Sequence, residues 1–542
     1  MSDWQPEETV LYVNGRVWAG AGHQVGENSA ISVSGSRISA VGDDSELTDR
    51  FRDATRVDLE GHTVIPGLID AHNHAIRGGA TWTRELHWDG LRTRDAALAT
   101  IAEAASVLPK GSWICAIGGW HQTQFQGGWL PSRAELDAVA PNHPVYVQSL
   151  YEVGIASTRA IHDAGLSGAM DRLPGLVELD AAGSPTGMVF GLPAYNLFLA
   201  AAGAPTPDEQ VEGTRRMFRE FAALGMTGIC DPGGFGMAPE KYGAIYELWR
   251  RGELDVRTRM YLSATDSGVE YEQVRDWLRF AQHGFGDDWL RVTGIGEVVQ
   301  LGCHDFEGLT DFAIDDEALE ELFRISSLVA SRGWPLHIHA VLDDSIARIL
   351  DCWERVHAIT PIDGLRFSLA HADRIGASNI ARLKALGVGV VMDARQVFRS
   401  GASQAVWGAD SLRSVPPLHD LSDAEVPLGL GSDATRASSH NPWLTLWWLV
   451  AGRSLDGSSE RDGRHLAARA QALDLHTRGS AWFSFDEGTR GTIAAGLLAD
   501  FVALNDDYFA VETDEIARLH AELTVVGGRV SYSSGLLAQA TD

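Results

Sequence analysis

Two hydropathy textures divide the chain. Up to residue 63, apolar and polar positions alternate in short runs broken by turn residues, as in TVLYVNGRVWAG and AISVSGSRISAVG. A period of two around Asn14-Gly15 and Ser36-Arg37 predicts β-hairpins. The same texture returns near the C-terminus in GTIAAGLLADFVALNDD and LTVVGGRVSYSSG. A few strands at each end cannot bury separate cores, so the pattern predicts one small β-sandwich domain built from residues 1–63 and 488–542.

Between them, in residues 64–487, apolar runs alternate with segments of helical period. The runs cover residues 64–69, 226–229, 257–262, 291–299, 335–340, 366–370, 388–392 and 427–430. A typical helical segment, DDEALEELFRISSLVASRG, is acidic at its start and closes on Gly333. Eight strand–helix units predict an α/β fold, the (β/α)8 TIM barrel. The rival, a doubly wound sheet, calls for a Gly-rich phosphate turn after the first strand, and none is present. Residues 75–210 separate the first strand from the second, too long an interval for an ordinary connection. This insertion holds Trp82, Trp88, Trp113, Trp120 and Trp129 and leaves from the end of the first strand, so it is expected to roof whatever lies there.

The bulk numbers narrow the class. A length of 542 residues predicts two to four domains, and 45% hydrophobic with 22% charged residues is ordinary for a globular chain. With 44 Lys+Arg against 73 Asp+Glu, the formal charge of −29 disfavours nucleic acid and anionic membranes as partners and leaves small molecules. The N-terminal MSDWQPEETV has no basic segment followed by an apolar core, and no apolar run approaches the ~20 residues that span a bilayer, so a cytoplasmic protein is expected. Four cysteines without a CxxC pair argue against a thiolate metal site.

Chemistry concentrates at strand ends. VIPGLIDAHNH finishes an apolar run with Asp70, His72 and His74, three polar residues that share one face of a strand. PLHIHAV ends with His337 and His339, RFSLAHADR carries His371, and VPLGLGSDATR carries Asp433. In a barrel the C-terminal strand ends converge on one point. Imidazoles and a carboxylate gathered there suit a divalent metal with N/O ligands: zinc first, with manganese or iron(II) as alternatives. His304, Asp393, Arg395 and Gln396 lie beyond strand ends, and Trp120 and His121 lie in the insertion. All six are candidate substrate contacts by position.

The order His-x-His, His, His, Asp between two β-rich ends resembles the amidohydrolase superfamily. GHTVIPGLIDAHNH, HQTQFQGGWLPSRAELDAVAPNHPVYV, LGMTGICDPGG, GLGSDATRASSHNPW and GTIAAGLLADFVALNDDYF are similar to its amidohydrolase family 3 branch, which includes N-substituted formamide deformylases. The resemblance covers nearly the whole chain. It implies that His72 and His74 bind the more buried metal, that His339 and His371 bind a second, and that Asp433 ligates metal and accepts a proton from the attacking water. His337 is expected behind the ligands, as is Asp70, the latter as the partner that orients an imidazole. The fourth strand departs from the pattern: where many relatives carry a carbamylated lysine, VTGIGEVVQLG places Glu297, which either bridges two metals or marks a site with one. Tyr151 stands where relatives often show a histidine, and Gly191 where they show a glutamate, so the substrate is expected to differ.

The resulting expectation is hydrolysis of an amide, cyclic amide or formamide-like C–N bond by a metal-activated water, with Asp433 and Glu297 as catalytic groups. The same chemistry on another bond (deamination, ester or lactone hydrolysis, C–C cleavage or hydration) stays open, as does a barrel that only binds a ligand. A homodimer is expected because related barrels commonly pair.

Overall fold

The computed structural model describes residues 9–535; residues 1–8 and 536–542, the outer ends of the predicted terminal domain, lie outside it. Eight parallel strands form one sheet in sequence order: β1 (Leu68–Asp70), β2 (Met226–Asp231), β3 (Arg257–Leu262), β4 (Leu290–Glu297), β5 (Leu336–Ala340), β6 (Ser368–His371), β7 (Gly389–Met392) and β8 (Leu428–Leu430). The ends meet. The Ala71 N–H donates to Leu430 O at 2.8 Å and the Asp433 N–H to His72 O at 2.9 Å, which closes the (β/α)8 barrel. The closure needs Gly431, since a Cβ there would sit 2.6 Å from that of His72. Every residue of β2 and β3 is buried, and the arginines this covers, Arg257 and Arg259, are paired with Asp500 and Asp486.

Helices form where caps and periodicity agree. The segment read as a helix from its acidic start becomes α3 (Asp316–Ser331), after α1 (Ala75–Thr81) and α2 (Pro207–Ala223). The Asp315 side chain accepts the Ala318 N–H at 2.7 Å, and Leu319, Leu322, Ile325 and Val329 form the buried stripe.

Two expectations need correction. Residues 64–69 are not one strand: Thr63–Pro66 pairs antiparallel with Phe501–Leu504, and the barrel begins only at Leu68. The switch falls at Gly67, whose N–H donates to Asp500 O (3.0 Å) while the next N–H, of Leu68, donates to Gly225 O (3.0 Å). A Cβ at Gly67 would lie 2.2 Å from the Thr227 side chain, so only glycine lets the chain cross there. Asn14-Gly15 is likewise no hairpin. Thr9–Val13 pairs with Ala30–Ser34 and Thr55–Asp58, whereas Arg16–Val17 joins a different sheet alongside Thr63 and Val64. The hairpin at Ser36 does form, between Ala30–Ser34 and Arg37–Gly42.

Beside the barrel, a four-stranded sheet of N-terminal strands and a five-stranded sheet drawn from both chain ends share one buried cluster. It includes Tyr12, Ile31 and Val33 from the first and Val64, Phe501 and Val525 from the second. The segment after β1 enters α1, which packs on α2, and then builds its own five-stranded sheet from Ile114–Ile117, Val145–Ser149, Val153–Ala156, Val177–Leu179 and Pro185–Val189. Trp88 and Trp120 are fully buried in the core of that sheet with Phe125, as its packing rather than its ligand surface.

Candidate active site

The strand ends bring His72, His74, Glu297, His339, His371 and Asp433 together in a buried cluster. His74 Nδ1 donates to Gly233 O at 2.9 Å, which turns Nε2 toward Asp433 Oδ1 (3.0 Å) and Glu297 Oε2 (3.5 Å). His72 Nδ1 meets His337 Nε2 at 2.9 Å, and His337 Nδ1 in turn meets Ser368 Oγ at 2.8 Å. His337 therefore stands behind His72 and sets its ring. The Nε2 of His72 faces Glu297 and Asp433 at 3.7 Å each and has no hydrogen-bond partner among the described residues. On the other side, Glu297 Oε1 lies 3.0 Å from His339 Nδ1 and 3.6 Å from His371 Nε2.

Two of these residues hold backbone conformations that side chains rarely adopt. His371 has φ 73° and Asp433 φ 55°, both in the left-handed region, which costs of order 1 kcal/mol or more and persists where surrounding structure demands it.

The electrostatics match donors awaiting a cation. Burial drives His72 well below its ordinary value, more than nearby Glu297 restores, and leaves a neutral imidazole. Burial raises Glu297, but His72, His339, His371 and His74 outweigh it and hold the carboxyl well below the usual range. Burial and Arg395 both pull His371 down. The carboxylates of Asp393 and Glu297 nevertheless push it up to about 10. Among the described residues four donor sets stand close enough to share an ion: His72, His74 and Asp433; His72, Glu297 and His371; Glu297, His304 and His339; and His371, Asp393 and Asp433. Glu297 belongs to two of them, and the chemistry of the set, imidazole nitrogens and carboxylate oxygens with an unbonded buried Nε2 on His72, fits a divalent metal.

A cavity of about 580 Å³ opens over the cluster, lined among others by His74, Glu297, His339, Asp433, Tyr151, His304 and three arginines, Arg77, Arg395 and Arg436. Tyr151 and His304 therefore lie where a substrate contact must; His304 stacks on His339 with ring centres 3.7 Å apart. The other candidate contacts lie elsewhere. Trp120 is packed in the insertion's core, and His121 bonds Glu152 (2.8 Å). Asp393 stands behind His371, with Oδ2 2.5 Å from Nδ1, and Gln396 donates to Asp373 at 3.1 Å. Packing holds Trp120 away from the cavity, and hydrogen bonds engage His121, Asp393 and Gln396 with other residues. Asp70 also departs from expectation. It touches no imidazole ring; it accepts the His72 N–H (3.1 Å), the Ser432 N–H (3.0 Å) and hydroxyl (2.6 Å), and Asn73 Nδ2 (2.8 Å), clamping β1 to the chain after β8.

Sequence reasoning passed over several charged residues. Asp305 caps the chain after β5 by accepting the Val341 and Leu342 N–H groups, and it lies 3.2 Å from His339 Nε2. Arg395, by contrast, is a candidate contact by position; it lines the cavity, but its guanidinium is held by Asp393, Asp373 and Glu307. Arg399, on α4 (Gln396–Trp407), bonds Glu152 of the insertion at 3.2 Å and also Glu307. Only adjacency to His304 could have flagged Asp305, and nothing local distinguishes Arg399.

Comparison with known proteins agrees with this geometry. The chain is 27% identical to an N-substituted formamide deformylase of Arthrobacter pascens over 93% of its length and 94% of the relative's. Its fold is similar to that of an uncharacterized metal-dependent hydrolase from Pyrococcus furiosus (TM-score 0.66, 19% identity, 92% of this chain and 100% of that one). It is also similar in fold to atrazine chlorohydrolase TrzN of Arthrobacter aurescens TC1, solved complexed with zinc (TM-score 0.56, 17% identity, 98% and 97%). Residues 55–532 match the model of the Amidohydrolase family, and the chain belongs to that family of hydrolases.

Proposed function

We propose that this protein hydrolyses a C–N bond of a small amide, cyclic amide or formamide at a divalent metal centre, zinc being the first choice. The observation that carries the reading is the buried Nε2 of His72, which has no hydrogen-bond partner among the described residues and faces His74, Glu297 and Asp433. A buried polar atom left unbonded is costly, and a ligated ion removes the cost. The deformylase relative supports C–N hydrolysis, and the chlorohydrolase of similar fold, solved with zinc, supports a metal in this barrel.

His72, His74 and Asp433 would hold one ion, and Glu297 with His339, His371 and His304 offers donors for a second, with Glu297 between them. Such an ion lowers the pKa of water from ~16 toward ~7 and polarises a carbonyl. The protein does the rest. Asp433 reaches the cavity with its Oδ2 3.8 Å from Arg395 Nε, placed to take the proton of the attacking water and return it to the leaving nitrogen. Asp393 fixes His371 from behind, and Phe235 and Phe306, stacked with centres 5.8 Å apart, give the cavity wall an apolar patch.

The test is a panel of amides, formamides, imides and lactones with zinc-loaded protein and its Asp433→Asn variant. Amine and carboxylate release from one C–N class is expected, with a loss of about 10²- to 10⁴-fold in the variant. Turnover of lactones alone, or ammonia release from amidine-like carbons alone, would move the function to those bonds. No turnover of any member would overturn the enzymatic reading.

A further inference from the structure

Three arginines line the catalytic cavity, and two of them are neutralised by the protein itself. Arg395 is held by Asp393, Asp373 and Glu307. Arg436 forms a two-point pair with Glu85, 2.7 Å at each nitrogen. The third is different. Arg77, on α1 three residues beyond His74, makes no hydrogen bond and no ion pair among the described residues, and its Nε is shut away from solvent without a partner. Its guanidinium sits 5.9 Å from the centre of the Tyr151 ring, near the limit of cation–π reach. The Tyr151 hydroxyl, on the same cavity wall, likewise bonds nothing among the described residues.

Arg77 is partly exposed on the cavity wall, and a guanidinium with no carboxylate partner among the described residues and a buried, unbonded Nε is a donor that an anion entering the cavity would satisfy. Arg77 also stands on the wall that the catalytic cavity shares with a larger one of about 1190 Å³, together with Leu199, Met237 and Arg436. An anionic group seated there would be flanked by the metal-ligand cluster on one side and open volume on the other. A planar guanidinium and a phenol offer donors in the geometry a carboxylate takes. Glu297, Glu307 and Asp433 line the same cavity and oppose a doubly charged phosphate.

Resting on the hydrolase reading above, we propose that Arg77, assisted by the Tyr151 hydroxyl, binds a carboxylate of the substrate, so that the natural substrate is an amide or formamide carrying a carboxylate on its acyl or amino part. The cleaved bond is then placed over the strand-end cluster by an ion pair one helical turn away.

Two readouts test this. The first compares hydrolysis of N-acyl and N-formyl amino acids with that of their uncharged methyl amides. The wild type should favour the acids in kcat/KM, and Arg77→Met should cut that preference by roughly 10- to 100-fold, chiefly through KM, with Arg77→Lys recovering part of it. The second needs no turnover: benzoate and hexanoate should raise the melting temperature of the zinc-loaded wild type more than benzamide and hexanamide do, and Arg77→Met should erase the difference. Unaltered zinc content and circular dichroism in the variants separate lost recognition from lost folding. A wild type that cleaves neutral amides as well as the acids overturns the proposal while hydrolysis stands. Failure of all hydrolysis with carboxylate stabilisation intact overturns the hydrolase reading while the anion site stands. Stabilisation by inorganic phosphate but not by carboxylates also overturns the proposal.

Discussion

Asp70→Asn probes how the barrel closes beneath the metal-ligand cluster. Oδ1 of Asp70 accepts two backbone groups, His72 N–H and Ser432 N–H, and Oδ2 accepts Asn73 Nδ2 and the Ser432 hydroxyl. Burial pushes this carboxyl up to about 6, against the pull of Ser432 and Asn73, so at pH 8 it is ionised and the substitution compares a neutral amide with an anion. The best orientation of asparagine keeps its oxygen on the two backbone donors. Its NH₂ then faces the NH₂ of Asn73 and the Ser432 hydroxyl, whose oxygen already accepts Asn73 Nδ2 (3.0 Å) and the Ala434 N–H (3.2 Å) and has no lone pair to spare. Buried donors lose their acceptor and two bonds lose their charge, a cost of about 2 kcal/mol, or roughly 30-fold in the local opening equilibrium. Native-state hydrogen exchange at pH 8 reads it directly at the two amides that close the barrel, Ala71 and Asp433. They should exchange some 30-fold faster in the variant, with Val502 and Ala503 in the small sheet unchanged. Rates within twofold of wild type at Ala71 and Asp433 would refute the clamp.

Other consequences follow from the same contacts. His371 is raised to about 10 by Asp393 and Glu297, so in chelator-treated protein its contribution to stability is complete below its unfolded value of about 6.5 and is lost as pH rises through 10. Urea denaturation of metal-free protein between pH 6.5 and 10 should show that decline, of the order of a few kcal/mol, and Asp393→Asn should flatten it; an equal decline in both would contradict the pairing. Glu152 ties the insertion to α4 through Arg399 while also bonding His121. Arg399 keeps Glu307, so Glu152→Gln should loosen the insertion without unfolding the barrel, seen as about tenfold faster exchange over residues 118–152 and none over β5 and β6.

Strand ends were legible because side chains on a strand alternate with a period of two and the candidate ligands recur at equivalent places. His-x-His after Ile69, His339, His371 and Asp433 could be found without a structure, and Glu297 through a family resemblance. What stayed hidden depends on contacts distant in sequence. The break at Gly67 arises from the Thr227 side chain, 160 residues away along the chain, and no local pattern announces it. Trp120 looked like a substrate contact because it lies in the insertion, but its ring packs against Trp88. Asp393 and Gln396 were correctly placed beyond a strand end, yet their hydrogen bonds point them behind His371 and toward Asp373. Arg77 went unmarked since the face that α1 turns to the cavity is set by its packing on α2.

The central claim is that the strand-end cluster retains a divalent ion. Equilibrium dialysis of chelator-treated protein against trace zinc, followed by metal analysis, tests it directly beside Glu297→Gln and His74→Asn. The structure predicts one or two zinc ions retained per wild-type chain and fewer in each variant. Zinc near zero in the wild type, or wild-type content in both variants, would contradict it.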